Sequence, residues 1–155
     1  MGVGNMKLAE ALQERADLNR KIAQLRNRLE LNATVQEGEN PAENPADLLN
    51  ELDECIKRLE ELITRINLTN CTTEIEGKTL TAHIAKRDCL TLKIASYREL
   101  LDAASSISQR ASRTEIKILS AVDVKTLQKK SDEMSKELRQ TDNTIQQANW
   151  QTELK

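Results

Sequence analysis

The amino-acid sequence predicts an all-α protein of long antiparallel helical hairpins, forming a four-helix bundle or coiled coil with room for a short two-stranded ribbon. Two observations carry that prediction. Charged residues make up 31% of the 155 residues, while Gly and Pro together number only six (four and two). So few chain breakers among so many charges favour long solvated helices over a sheet. Aromatic residues are nearly absent: Tyr97 and Trp150 stand alone, and Phe is missing. Leu, Ile and Ala must therefore fill the core, as they can along helix seams.

The length suits one domain, read as residues 6–155, with residues 1–5 an upstream start or expression remnant before Met6-Lys7-Leu8. The first helix is expected over about 6–36. Its seam runs Leu8, Ala11, Arg15, Leu18, Ile22, Leu25, Leu29, Asn32, in alternating steps of three and four. Arg15 and Asn32 are polar breaks that can set register or partner number. Glu37 to Pro45 interrupts the pattern. Gly38 suits a helix C-terminus, Asn44 an N-cap and Pro45 a first helical turn. The second helix is expected over about 45–68, with Leu48, Leu49, Leu52, Ile56, Leu59, Ile63 and Ile66 on its apolar stripe. A connection of this length is compatible with an antiparallel hairpin.

The Thr-rich stretch from Asn70 to Thr81 reads as a turn at Glu76-Gly77-Lys78, with a short strand at Thr72–Ile75. The third helix is expected over about 80–108. Between Thr114 and Val122 the residues alternate in a way that weakly favours a strand, and pairing of Thr72–Ile75 with Glu115–Leu119 would make a ribbon. A continued helix there is the alternative. Asp123 reads as the N-cap of a fourth helix, about 123–149, whose seam Val124, Leu127, Ser131, Met134, Leu138, Thr141, Ile145, Ala148 has polar breaks at Ser131 and Thr141.

The chain resembles a family of small bacterial proteins labelled septicolysin. The residues that carry the resemblance are Met6-Lys7-Leu8-Ala9-Glu10-Ala11-Leu12 with Arg15-Ala16-Asp17-Leu18, Gln36-Glu37-Gly38-Glu39, Arg87-Asp88, Asp123-Val124 and Ile145-Gln146 with Asn149-Trp150. It spans nearly everything from Met6 onward. The label implies a cytolysin and brings no catalytic residues. A pore former needs membrane-compatible apolar or aromatic segments. This chain has one Trp, no stretch of roughly 18 consecutive apolar residues and no signal-like start.

The residues exclude several other functions by omission. A formal net charge of −2 speaks for solubility and against a generic polyanion binder. Cys55, Cys71 and Cys89 form no C-x-x-C pair, and an odd number suggests reduced thiols and a cytoplasmic protein, which strips the Asn-x-Thr triplets at Asn32, Asn67 and Asn70 of meaning. His83 is the only histidine and reads as a surface or edge residue, so no metal site is expected within one chain. Glu37, Glu39, Glu43 and Asp47 read as a solvated acidic linker without the EF-hand spacing. Arg87-Asp88 reads as an inter-helix salt bridge or register device. Arg110, Arg113, Lys117, Lys125, Lys129 and Lys130, like Arg15, Arg20, Lys21, Arg26 and Arg28, make local basic stretches, but acids intervene and stacking aromatics are missing. Trp150, beside Asn149, is expected to pack against its own helices or at a subunit contact.

No catalytic residues, cofactor or phosphate loop emerge. The leading expectation is a non-enzymatic, self-associating helical interaction protein, with Trp150, Asn149, Arg87, Asp88 and Arg15 as candidate interaction or packing residues and a homo-oligomer as the partner arrangement. A nucleic-acid-associated helical arm is the runner-up, and an enzyme with a site assembled between subunits comes third.

Overall fold

The computed structural model describes residues 5–106 and 116–155 and is dominated by four helices: α1 (Leu8–Leu31), α2 (Pro45–Thr72), α3 (Leu80–Ser105) and α4 (Val124–Gln151). A two-stranded antiparallel ribbon, β1 (Glu74–Ile75) and β2 (Lys78–Thr79), precedes α3. Two compact units divide the chain: Met1–Thr73 with Ala148–Lys155, and Glu74–Gln147. No helix among the described residues is long and apolar enough to cross a membrane.

In the first unit α1 and α2 form an antiparallel hairpin. Lys21 pairs with Glu51 at 2.9 Å and Glu14 with Arg58 at 2.7 Å, so residue numbers rise along one helix as they fall along the other. Leu25, Leu48 and Cys55 form the buried seam, with Leu18, Ile22, Leu29 and Leu52 packed around it.

The first helix stops at Leu31, five residues short of the expected Gln36, and Asn32 is the reason. Its side-chain amide donates to the Arg28 carbonyl (2.9 Å), while its Oδ1 accepts the Glu43 N–H (3.0 Å). The polar break thus ends the helix and clips it to the approach of the next one. Gly38 is therefore not at the helix C-terminus as expected; it lies in the linker, which it turns at φ +85°, in the left-handed region where a side chain would be strained. Asn44 caps α2 by accepting the Ala46 N–H at 3.0 Å, with Pro45 in the first turn, as expected.

Helix α2 runs on to Thr72, past the expected Leu68. The hydroxyls of Thr69 and Thr72 donate to the carbonyls of Arg65 and Leu68, both at 2.8 Å, and so hold β-branched residues in helical geometry. Thr69 also accepts the Lys155 N–H at 2.9 Å. That contact belongs to a clasp with no sequence signature. The Leu8 N–H donates to the Thr152 carbonyl and the Leu154 N–H to the Met6 carbonyl, each at 2.8 Å, around an antiparallel bridge between Lys7 and Glu153. Arg65 donates to the Lys155 carbonyl oxygen at 2.8 Å, and the Leu154 side chain is buried.

In the second unit the ribbon corrects an expectation. β1 pairs with the immediately following β2, Glu74 opposite Thr79 and Ile75 opposite Lys78, and not with residues 116–119. A two-residue turn closes at little entropic cost, whereas a partner about 40 residues away requires a far longer loop. Residues 116–122 contain no strand, and Ser120 bonds locally with Val122 instead; the rest of that expected strand, 114–115, lies outside the described residues.

The turn itself has φ +53° at Glu76 and +76° at Gly77. Left-handed geometry at both central positions is a type I′ hairpin turn, where Asn, Asp or Gly is favoured first. A left-handed non-glycine residue costs roughly 1–2 kcal/mol, and Asn tolerates that conformation best. Glu76→Asn is therefore expected to stabilise the protein by about 1 kcal/mol in urea denaturation. No change or a loss would show that the glutamate side chain contributes as much as its backbone costs.

Helix α3 is capped by Thr79, whose hydroxyl accepts the Ala82 N–H at 3.2 Å, and ends with Ser106 as its C-cap; the expected extension over 107–108 lies outside the described residues. Asp123 caps α4 as expected, accepting from the backbone and hydroxyl of Thr126 at 3.2 and 2.7 Å. Those bonds hold its carboxyl below the usual range. α3 and α4 also run antiparallel, around Leu90, Ile94 and Met134, with Tyr97 and Leu138 against them. Ser131 and Thr141 are buried, and no buried side-chain polar atom among the described residues lacks a partner.

Candidate functional site

The α1–α2 hairpin is closed differently on its two flanks. A helix turns about 100° per residue. On α2, Glu51 and Arg58 therefore lie to one side of the contact row Leu48–Cys55–Leu62, and Leu49, Ile56 and Ile63 to the other. On α1, Glu14, Lys21 and Arg28 flank the row Ala11–Leu18–Leu25 on the first side, and Arg15, Ile22 and Leu29 on the second. The first flank is laced by ion pairs: Glu14 with Arg58, Lys21 with Glu51 and Arg28 with Glu43. Arg58 grips Glu14 with two nitrogens, at 2.7 and 3.1 Å. Hydrogen bonds from these cations hold the Glu14, Glu43 and Glu51 carboxyls below their ordinary range. Their stabilising contribution is therefore present above the ordinary carboxylate pKa and fades as the pH falls through the lowered values.

The second flank has no such lacing. Leu49, Ile56 and Ile63 recur every seven residues and remain 48%, 45% and 40% exposed. Leu52, Leu59, Leu18, Ile22 and Leu29 lie half-buried. Arg15 is half-buried there too and forms no ion pair among the described residues. The seven-residue spacing was legible in the sequence. Which flank lacked a partner was not, because the sequence shows an apolar stripe but not how much of it one neighbouring helix covers.

A polar cleft of 520 Å³ lies between the start of α3 and the later part of α4, lined by Glu76, His83, Lys86, Glu137, Thr141 and Thr144 among others. Of the surface or edge position expected for it, His83 does not take open surface: it is 8% exposed and lines this cleft. Its Nε2 lies 2.8 Å from the Ile75 carbonyl. A carbonyl only accepts, so Nε2 carries the proton and the imidazole anchors the ribbon to α3. Lys86 pairs with Glu137 at 2.8 Å and holds that carboxyl below its usual range. The Thr144 hydroxyl donates to the Gln140 carbonyl at 3.0 Å. The one imidazole thus serves the backbone through Nε2, and Lys86 and Glu137 beside it neutralise each other. No group of three or more His, Cys, Asp or Glu among the described residues could hold a metal ion.

The sequence candidates scatter. Arg87 bridges α3 to α4 through Asp142 at 3.8 Å, while among the described residues Asp88 pairs with its neighbour Arg87, at 3.1 Å. The inter-helix ion pair is thus Arg87–Asp142. Asn149 is buried, whereas Trp150 is 55% exposed. Of the linker acids, Glu43 is drawn to Arg28 and Glu37, Glu39 and Asp47 stay exposed. Lys117, Lys125, Lys129 and Lys130 are exposed; Arg110 and Arg113 lie outside the described residues.

The chain is similar over residues 15–154 to the model of a family described as "Family of unknown function (DUF6847)". No curated protein matches it. A solved structure, the crystal structure of a functionally unknown conserved protein from Corynebacterium diphtheriae, shares 44% sequence identity with a TM-score of 0.90, over 98% of this chain and 100% of that one. The match to the family model across almost the whole chain places this protein in the Family of unknown function DUF6847.

Proposed function

We propose that this chain is a non-enzymatic, self-associating helical interaction protein of the cytoplasm. The observation that carries this reading is the unlaced flank of the α1–α2 hairpin, with Leu49, Ile56 and Ile63 exposed at seven-residue intervals. Solvated helices rarely leave such a row uncovered, because apolar area exposed to water is a standing cost. The non-enzymatic part of the reading is supported by the imidazole of the polar cleft, which is held to a backbone carbonyl and anchors the ribbon. The odd number of cysteines, Cys55, Cys71 and Cys89, with no C-x-x-C pair among them, supports the reading of a reducing compartment. The cytolytic activity implied by the septicolysin resemblance is not adopted, since no described helix is long and apolar enough to cross a membrane.

Sedimentation velocity of the full chain from about 1 to about 100 µM tests the proposal. A dimer or larger species growing with concentration is the expected result. A single species of monomer mass across that range would overturn it.

A further inference from the structure

We propose that the polar cleft of the second unit binds a small primary ammonium compound, whose charged group sits on Glu76, His83 and Thr141. The site lies apart from the α1–α2 flank and requires no second copy.

Local structure brings the three residues together. The bond from His83 Nε2 to the Ile75 carbonyl, 2.8 Å long, fixes the ring beside the ribbon turn, so Glu76, the next residue, borders the same space. On the other wall, the Lys86–Glu137 pair shows which residues of the antiparallel α3 and α4 stand level. His83 precedes Lys86 by one helical turn, and Gln140 and Thr141 follow Glu137 by one turn. The imidazole and the Thr141 side chain therefore line the cleft from opposite helices, one turn from the ion pair.

The cleft stands out for unspent hydrogen-bonding capacity on enclosed residues. His83 and Thr141 are both more than nine-tenths buried. With the proton on Nε2, the Nδ1 of the neutral ring only accepts, and among the described residues nothing donates to it. The hydroxyls of Thr64, Thr69, Thr72, Thr91 and Thr144 donate to the carbonyl four residues back. Thr141 makes no such bond. Since no fully enclosed side-chain polar atom among the described residues lacks a partner, these two atoms open on the space that their side chains line. Held in a recess, they are fixed acceptors for a ligand that displaces water from them.

Charge selects the ligand. Lys86 is neutralised by Glu137 at 2.8 Å, whereas the Glu76 carboxylate has no ion pair among the described residues. The uncompensated charge of the lining is negative. A primary ammonium group brings a positive charge and three N–H donors with no acceptor. That matches three acceptors: the Glu76 carboxylate, His83 Nδ1 and the Thr141 hydroxyl oxygen. A neutral polyol would leave the carboxylate unanswered, and an anion would meet like charge. Lys78 lines an adjoining hollow that shares Glu76 and His83, so its ammonium competes for the same carboxylate.

Titration of the isotope-labelled full chain with ethylammonium chloride at constant ionic strength, followed by NMR of the backbone amides and the imidazole nitrogens, tests this. Tetramethylammonium, which carries the charge without an N–H, and glycerol, which donates without charge, are the comparison probes. Ethylammonium is expected to shift the His83 Nδ1 resonance saturably, with a Kd in the millimolar range, and the comparison probes are not. Thr141→Val keeps the side-chain shape and Glu76→Gln removes the charge; each is expected to weaken binding roughly fivefold or more. Lys78→Met is expected to tighten it about twofold, and the amide spectrum shows that each variant keeps its fold. No saturable shift at His83 up to about 50 mM ethylammonium would overturn the site. An equal response to tetramethylammonium or glycerol would overturn the ligand class. Wild-type affinity in both Thr141→Val and Glu76→Gln would overturn the placement.

Discussion

Leu25→Ala is expected to lower the stability of the protein by about 2–4 kcal/mol in urea denaturation followed by far-ultraviolet circular dichroism. Leu25 is fully buried, in one cluster with Leu48 and Cys55. Removing its isobutyl group loses the transfer free energy of the deleted carbons and leaves a cavity that a two-helix seam can only partly close. Ile56→Ala is the informative contrast. It too deletes an apolar side chain from a heptad position, yet in the single chain Ile56 is nearly half exposed. Its effect on folding at low protein concentration should stay within about 1 kcal/mol. Equal losses for the two variants would show that both flanks of the hairpin are covered within one chain.

The second large effect belongs to the C-terminal clasp. Leu154→Ala should cost about 2–4 kcal/mol, because a leucine with 5% of its surface exposed is replaced at a site whose backbone is bonded on both sides. Thr69 and Arg65 depend on the same segment, since they bond Lys155. Glu153→Ala, one residue earlier, removes an exposed ion pair with Lys7 at 3.8 Å and an exposed hydrogen bond from the Asn5 amide at 2.9 Å, and should cost less than about 1 kcal/mol. Were the two variants equally mild, the tail would be a loosely held end and not a part of the first unit's core.

The clasp also shows where sequence reasoning ran short. Helix identities, the Asn44 and Asp123 caps and the Glu76-Gly77 turn were legible because each rests on local chemistry: periodicity, a capping side chain, or a backbone needing positive φ. The Thr152–Lys155 segment carries no local pattern. Its structure is backbone bonding to Met6 and Leu8, nearly 150 residues away in sequence. The ribbon failed for a related reason, since alternation at 116–122 looks like a strand but does not name a partner, and Lys78–Thr79 was closer. Asn32 and His83 illustrate polar residues whose roles needed coordinates. Both spend their hydrogen bonds on backbone groups of a neighbouring segment, the Glu43 N–H and the Ile75 carbonyl. A sequence shows that such a residue interrupts a seam, not which backbone group it satisfies.

Site residues were legible to a lesser degree. The seven-residue row on α2 and the polar break at Arg15 were visible, and both lie on the unlaced flank. Trp150, singled out as the one Trp of an aromatic-poor chain, proved exposed, because helix periodicity near a terminus does not say how much structure surrounds it. The three ion pairs on the opposite flank were unforeseen. They depend on the relative level of two helices, which the linker and the Asn32 clip establish.

One account connects these features. Ion pairs close one flank of the α1–α2 hairpin, leucine and isoleucine side chains leave the other open, and the self-association proposed above would cover it. Sedimentation velocity on the wild-type chain and on Ile56→Glu, side by side from about 1 to about 100 µM, tests that account most directly. It predicts a wild-type dimer with micromolar affinity and a helical Ile56→Glu monomer. A wild-type chain that stays monomeric throughout, or an Ile56→Glu variant that dimerises as tightly as the wild type, would contradict it.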